Sequence, residues 1–211
     1  MTGMSSDALA ARVAADLRDG WYVNLGLGLP TKVADHVAPG VEVLFHSENG
    51  LMGIGVVAPP GSEDPDLCDA NKQYTTLRPG AVAFDSSISF ALVRGGHLDA
   101  AILGGLQVSA TGDLANWYVP GGLPGVGGAM DLVAGSPRTW VVMRHRDRAG
   151  RSKVVQTCEY PLTGKEVVDR VYTDLCVFDV VDRRLVLTEL APGVTTDQVR
   201  AATDATFETS R

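Results

Sequence analysis

The sequence predicts an α/β fold, an open and mostly parallel sheet flanked by helices, in a single domain over residues 1–211. Three observations predict it. Short apolar runs of strand length alternate with helical segments, the order of a parallel sheet. The 24 glycines sit in short loops between those runs, as tight turns along one functional edge require. The chain has 211 residues and is 45% apolar, with no linker and no internal repeat, which is enough for one sizeable core.

The elements follow in order. Ser5 or Ser6 caps a helix running to about Asp19, with Leu9, Val13 and Leu17 on one face and Gly20 closing it. Residues 21–25 form a strand ending in Gly26-Leu27-Gly28-Leu29-Pro30-Thr31. Pro30 suits a first helical turn, and a short helix runs on to about Val37. Residues 41–45 form the next strand. Residues 56–80, rich in Pro, Gly and Asp, read as a long, ordered but irregular excursion. A short strand at 81–84 precedes a helix over 86–94, then Gly95-Gly96 and a strand over 98–103. Residues 104–130 are glycine-rich again. Strands at 139–143 and 153–157 are joined by a charged turn near 147–150. Residues 175–180 and 185–190 form a hairpin about Asp182-Arg183, and a last helix runs from Thr195 to about Thr203.

The charge balance narrows the function. Eighteen Lys and Arg against 25 Asp and Glu give a net charge of −7, which argues against a nucleic-acid binder. It also makes this chain alone a poor holder of a polyanion unless basic residues cluster or a partner supplies them. Cys68, Cys158 and Cys176 are odd in number and form no CxxC pair, so they read as free thiols in a reducing compartment. The histidines, His36, His46, His97 and His145, lack metal-ligand spacing, so no metal is expected. The first residues lack a signal-peptide pattern and no apolar stretch is long enough to span a bilayer, so a cytoplasmic location is expected, with no membrane partner.

The most informative stretch is His46-Ser47-Glu48-Asn49-Gly50-Leu51-Met52-Gly53-Ile54-Gly55. It places a carboxylate where a strand gives way to glycine-rich chain, and ligands of open α/β sheets bind just beyond the carboxyl ends of strands. On a continuing strand His46 and Glu48 point to one side and Ser47 to the other. A loop cap or a surface ion pair is the plainer role for Glu48. Gly26-Leu27-Gly28 lacks the third glycine of a dinucleotide fingerprint, and neither GxxxxGK[ST] nor GxSxG occurs. Gly125 to Gly128 either present backbone N–H groups to an anion or make an ordinary turn. Lys72 and Arg94 are anion contacts or solvated surface charges, and the cysteines read as packing residues.

These motifs, with others along the chain, resemble the B (beta) chain of the family I 3-oxoacid CoA-transferases. Ser47-Glu48-Asn49-Gly50 is similar to that family's catalytic signature. Further similar blocks are Ser89-Phe90-Ala91, Arg94-Gly95-Gly96-His97-Leu98-Asp99, Gln107-Val108-Ser109 and Gly112-Asp113-Leu114-Ala115-Asn116-Trp117. Gly127-Gly128-Ala129-Met130-Asp131-Leu132-Val133 and Pro161-Leu162-Thr163-Gly164 complete the set. The resemblance covers nearly the whole chain and implies a CoA-transferase-like fold.

It further implies that Glu48 is the nucleophile, forming first a mixed anhydride and then a glutamyl-CoA thioester, and that the Gly128 backbone N–H is an oxyanion donor. Asn49, Gly127, Lys72 and Asn116 are implied in substrate contact. Coenzyme A is implied as substrate, with no tightly bound cofactor. The implied partner is an A (alpha) subunit that carries most of the coenzyme A surface. The implied reaction moves coenzyme A from succinyl-CoA to a 3-oxo acid, 3-oxoadipate or acetoacetate. An acyl-CoA hydrolase using the same glutamate, and a non-catalytic ligand-binding domain of the same fold, are the alternatives. The chain departs from the family at Asp69-Ala70-Asn71-Lys72, where relatives commonly read Asn-Ala-Gly-Lys, and at residues 120–124, which are less basic. Cys158-Glu159-Tyr160-Pro161 and Arg170-Val171-Tyr172-Thr173-Asp174 lean toward the 3-oxoadipate branch.

Overall fold

A ten-stranded sheet runs through the molecule and is covered on both faces. The computed structural model describes residues 3–210. In chain order the elements are α1 (Ser6–Ala14), β1 (Tyr22–Leu25), a 3₁₀ helix (Leu29–His36), β2 (Leu44–Ser47), β3 (Leu51–Val57) and β4 (Thr75–Ala83). Next come α2 (Ser86–Arg94), β5 (Ala100–Gly104), β6 (Gln107–Ser109), β7 (Leu114–Ala115), α3 (Ala129–Gly135), β8 (Thr139–Met143) and β9 (Val154–Val155). The chain closes with β10 (Arg170–Thr173), β11 (Cys176–Val181), β12 (Arg184–Leu190), α4 (Thr196–Ala202) and β13 (Glu208–Thr209).

The strand order is β13-β12-β11-β10-β8-β5-β1-β2-β3-β4. Its centre, β10-β8-β5-β1-β2, is parallel throughout, as the strand–helix–strand order predicts. Antiparallel pairs flank it, β2-β3-β4 on one side and β10-β11-β12 on the other. A separate three-stranded sheet, β7-β6-β9, packs beside the main one.

Alternation along the strands divides the core in two. Ala101, Leu103, Val141, Met143, Val171 and Phe178 face the cluster that holds Val93 of α2, Leu132 of α3 and Val199 of α4. Their neighbours Ala100, Ile102, Trp140, Val142, Tyr172 and Val177 face Leu9 and Val13 of α1 and Val33 of the 3₁₀ helix. Successive side chains of a strand point to opposite faces, so a strand covered on both sides reads as an unbroken apolar run. Each Val, Leu, Ile, Phe or Met side chain among them, when fully buried, stabilises the fold by about 1.5–3 kcal/mol.

Several elements differ from the sequence reading. The first helix stops at Ala14 rather than near Asp19, because Asp16 N–H and Leu17 N–H turn to carbonyls three residues back, those of Val13 and Ala14. Asp16 is drawn to the sheet instead: its carboxylate accepts from Arg170 at 2.7 Å, from Tyr172 Oη at 2.7 Å and pairs with Arg12 at 2.9 Å. Burial raises the Asp16 pKa, but the hydrogen bonds from Arg12 and Tyr172 and the charges of Arg12 and Arg170 outweigh it and hold the group below its ordinary value.

The excursion expected at 56–80 is irregular over 58–74, but both of its ends are sheet. β3 and β4 pair antiparallel, Met52 opposite Val82 and Ile54 opposite Leu77, with register shifts around Gly53. The glycines and Pro79-Gly80 hide this pairing, since proline usually marks a turn; β4 lies at the sheet edge, where a missing N–H costs no ladder bond. β10 is a strand that the sequence pattern does not announce. The segments at 139–143 and 153–157 belong to different sheets, the second reduced to Val154–Val155. Helix α2 lies where it is expected, capped by the Asp85 carboxylate accepting from Ile88 N–H at 3.0 Å. Among the described residues no helix is long and apolar enough to cross a membrane.

Phe178 is fully buried, with Phe207 packed edge-on at 5.2 Å between ring centres. Phe178→Ala is expected to destabilise the chain by about 3–5 kcal/mol, read as a lowered urea midpoint in equilibrium unfolding.

Candidate active site

Strand β2 ends at Ser47, and Glu48-Asn49-Gly50 turn the chain back into β3, with Ser47 paired to Leu51. Leu51 to Gly55 are therefore strand rather than the expected glycine-rich loop. The turn is pinned on three sides. Gly50 N–H donates to Ser47 O at 3.0 Å, and Phe84 N–H donates to Gly50 O at 2.9 Å. Gly50 has φ +125° and lies against the Phe84 carbonyl, where no β-carbon fits. Asn49 Nδ2 donates to Cys68 O at 2.7 Å, and Ser47 Oγ accepts from Ala70 N–H at 2.8 Å, so the arm between β3 and β4 is tied to the turn.

The strand residue two positions before Glu48 is anchored in the interior. His46 is 0% exposed; its Nδ1 lies 3.0 Å from Asn24 Nδ2 and its Nε2 lies 2.8 Å from Ser89 Oγ on α2. Burial lowers its pKa to about 4, so the ring is neutral. Asn24 Nδ2 also donates to the His46 carbonyl at 3.2 Å, which fixes the amide orientation. An amide nitrogen only donates, so Nδ1 is the acceptor and Nε2 carries the proton toward Ser89. These hydrogen bonds join β1, β2 and α2 directly beneath the turn.

Glu48 points to the same side as His46, toward α2 and the loop before α3, while Ser47 points to the opposite side. Its carboxylate is pressed against Gly127 and Gly128. A β-carbon on Gly128 would lie 3.0 Å from one carboxylate oxygen and 2.6 Å from the Phe90 ring; one on Gly127 would lie 3.7 Å from the other oxygen. Burial raises the Glu48 pKa above the ordinary glutamate value, the Gly128 backbone N–H pulls it back, and the charge of Asp131 pushes it up. Among the described residues no cation balances the carboxylate. Arg94, which could, is committed to Asp131 at 2.7 Å.

The carboxylate opens onto a cavity of about 290 Å³ where three glycine-bearing loops converge. They are Gly26-Leu27, following β1, Gly104-Gly105, at the end of β5, and Gly125 to Gly128, before α3. β1, β2 and β5 are parallel neighbours, so this is the carboxyl edge of the sheet. Asn116 and Trp117 form the far wall. Of the residues singled out from sequence, Glu48, Gly127, Gly128 and Asn116 meet here. The Asn116 amide is already used: Nδ2 donates to Gly104 O at 3.1 Å and Oδ1 accepts from Thr163 Oγ1 at 2.6 Å, so it shapes the wall. Asn49 and Lys72 do not line the cavity. Lys72 is exposed, with φ +61°, on the arm preceding β4. Sequence reasoning assigns no site role to Phe90, Asn24 or Ser89; Ser89-Phe90 stands in a matched block, but nothing in the spacing shows that these residues pack beneath residues 46–48 and 128.

The same fold is found in an acyl-CoA transferase apoenzyme from Escherichia coli O157:H7, with a TM-score of 0.76 at 19% identity, covering 100% of this chain and 42% of that one. The fold is thus one found among CoA-transferases. The chain belongs to the Coenzyme A transferase family, whose model matches residues 6–202. It is 52% identical over 96% of its length to the B chain of a probable succinyl-CoA:3-ketoacid coenzyme A transferase of Bacillus subtilis, covering 94% of that protein. It is 45% identical over 97% of its length to the B chain of a 3-oxoadipate CoA-transferase of Acinetobacter baylyi, covering 95% of that protein.

A carboxyl group whose folded pKa is raised above its unfolded value favours the fold when protonated and costs stability when ionised, above the folded pKa. Glu48→Gln is therefore expected to raise the melting temperature at pH 8, by about 2–4 °C for each kcal/mol relieved, and the gain is expected to fade as the pH falls toward about 4. Calorimetric scans of both proteins across that range check it.

Proposed function

We propose that this chain is the B (beta) component of a two-subunit CoA-transferase that moves coenzyme A from succinyl-CoA to a 3-oxo acid, with Glu48 as the nucleophile. The observation that carries the reading is the Glu48 carboxylate, half-buried with no cation beside it among the described residues and facing the Gly128 N–H at the carboxyl edge of the sheet. The relatives named as B chains act on 3-ketoacids or 3-oxoadipate, and we assign the same substrate class to this chain. A partner alpha subunit completes the enzyme and supplies most of the coenzyme A surface. Coenzyme A enters as substrate, and no resident cofactor takes part. Three unpaired cysteines fit the cytoplasm.

The steps follow from carboxylate chemistry. A Glu48 oxygen attacks the thioester carbonyl carbon of succinyl-CoA, and the tetrahedral adduct carries an oxyanion. The C–S bond breaks, coenzyme A leaves as thiolate, and a mixed anhydride joins Glu48 to succinate. The thiolate then attacks the Glu48 carbonyl carbon, releasing succinate and leaving a glutamyl-CoA thioester. The 3-oxo acid carboxylate repeats the sequence in reverse and regenerates Glu48. A desolvated carboxylate without a counter-ion is a stronger nucleophile than one held by arginine, and the Gly128 N–H stabilises negative charge where it develops. A donor of this kind is typically worth about 3–4 kcal/mol of barrier.

The covalent step is tested on the chain co-purified with its alpha subunit. With succinyl-CoA and no acceptor, borohydride reduction followed by peptide mapping is expected to convert Glu48 alone to the alcohol, and Glu48→Ala is expected to abolish transfer. Consumption of succinyl-CoA with Glu48 unmodified would overturn the assignment. Gly128→Ala keeps the N–H but drives a methyl group between the carboxylate and Phe90, so kcat/KM is expected to fall by about 10²-fold. Steady-state kinetics check that loss, and Phe90→Leu in the same chain is expected to recover part of it.

A further inference from the structure

A second groove adjoins the Glu48 cavity. It has a volume of about 990 Å³ and shares Leu106 as a wall with that cavity, while Val119 and Pro120, from the loop that supplies Trp117, form one of its flanks. Lys153, the residue before β9, lines it. The chain has four lysines, Lys32, Lys72, Lys153 and Lys165. Lys32 pairs with Asp7 at 2.7 Å, and Lys72 and Lys165 are exposed. Lys153 is half-buried, and among the described residues its Nζ makes no ion pair and no hydrogen bond. The charges around it are mixed: Asp147, Glu159 and Asp204 line the groove with Arg148 and Arg151, and the charge of Asp174 also acts on Lys153.

The geometry points to Lys153 as an acylation site, taking acyl groups from coenzyme A thioesters that enter the groove beside the Glu48 cavity. The nitrogen lone pair of the neutral amine attacks the thioester carbonyl carbon and the C–S bond breaks. Coenzyme A leaves as thiolate and takes up the proton shed by the attacking nitrogen, and the product is an Nε-acyl-lysine amide. No other reactant is needed, and Glu48 takes no part, so the inference stands apart from the nucleophile assigned above. Burial lowers the Lys153 pKa to about 8, although the charges of Asp147 and Asp174 oppose that shift. The neutral amine is therefore present near neutral pH in a groove of about 990 Å³.

The test uses the co-purified two-subunit enzyme and succinyl-CoA, with hydroxylamine treatment to remove thioesters before peptide mapping. Lys153 is expected to be succinylated at least about fivefold faster than Lys32, Lys72 or Lys165, in wild type and in Glu48→Gln alike. Its rate is expected to rise only about tenfold from pH 7 to pH 9, against nearly 100-fold for an ordinary lysine of pKa about 10.4. Acylation of Lys153 no faster than of the exposed lysines, or a near-100-fold rise across that pH range, would overturn the inference. Persistence in Glu48→Gln separates it from the fate of the nucleophile: a Lys153 signal that vanished with Glu48 would also refute direct attack.

Discussion

An ionisable carboxylate held in a partly buried site with no counter-ion is the constraint on which the rest of this structure depends. Burial works against the charge of Glu48, and the neighbouring Asp131 adds to the penalty. The fold offsets this with a backbone dipole rather than a cation. Gly128 brings its N–H against the carboxylate because it has no side chain; a β-carbon would strike Phe90 and a carboxylate oxygen together. Arg94 engages Asp131 at 2.7 Å, which blunts the like charge without placing a cation on Glu48. An arginine on the carboxylate would stabilise it and would weaken it as a nucleophile.

Holding that carboxylate in place demands rigidity in the strand that carries it. His46, two residues back, is fully buried and uses both ring nitrogens, toward Asn24 on β1 and Ser89 on α2. Ser47 and Asn49 bind the arm between β3 and β4 from the other side. The turn is thus fixed by neighbours above, below and beside it, and Gly50 allows the Phe84 carbonyl to pass where a side chain would stand. The two-faced core supplies the frame: the central strands are packed on both sides, so β1, β2 and β5 deliver their loops to one edge in a set order.

The edge so built is rich in glycine and poor in charge. Gly26, Gly104, Gly105, Gly127 and Gly128 surround a cavity whose polar side chains are few, and Asn116 spends its amide on Gly104 and Thr163. With a net charge of −7 and no cation at Glu48 among the described residues, this chain by itself is poorly suited to hold a polyanion. Lys153 lines the adjoining groove, which shares Leu106 with the Glu48 cavity.

Strands β1, β2, β5 and β8 of the parallel centre, helix α2 and the β11-β12 hairpin were legible from periodicity, and Glu48 from its place after an apolar run. Those features are local, decided by the spacing of apolar residues and the turn residues that bound them. The edge pairing of β3 with β4, strand β10 and the small β7-β6-β9 sheet were not legible, because a strand without an unbroken apolar run and a proline-bearing edge form only when a distant strand supplies their hydrogen bonds. The same holds at the site. The sequence by itself determined that a carboxylate ends a strand near glycine-rich chain and that Gly128 belongs to a conspicuous loop. Only the tertiary structure decided that Gly128 meets Glu48, that Phe90 backs the contact, and that Lys72 and Asn49 stand outside the cavity, because these contacts depend on how β2, α2 and the loop before α3 pack together.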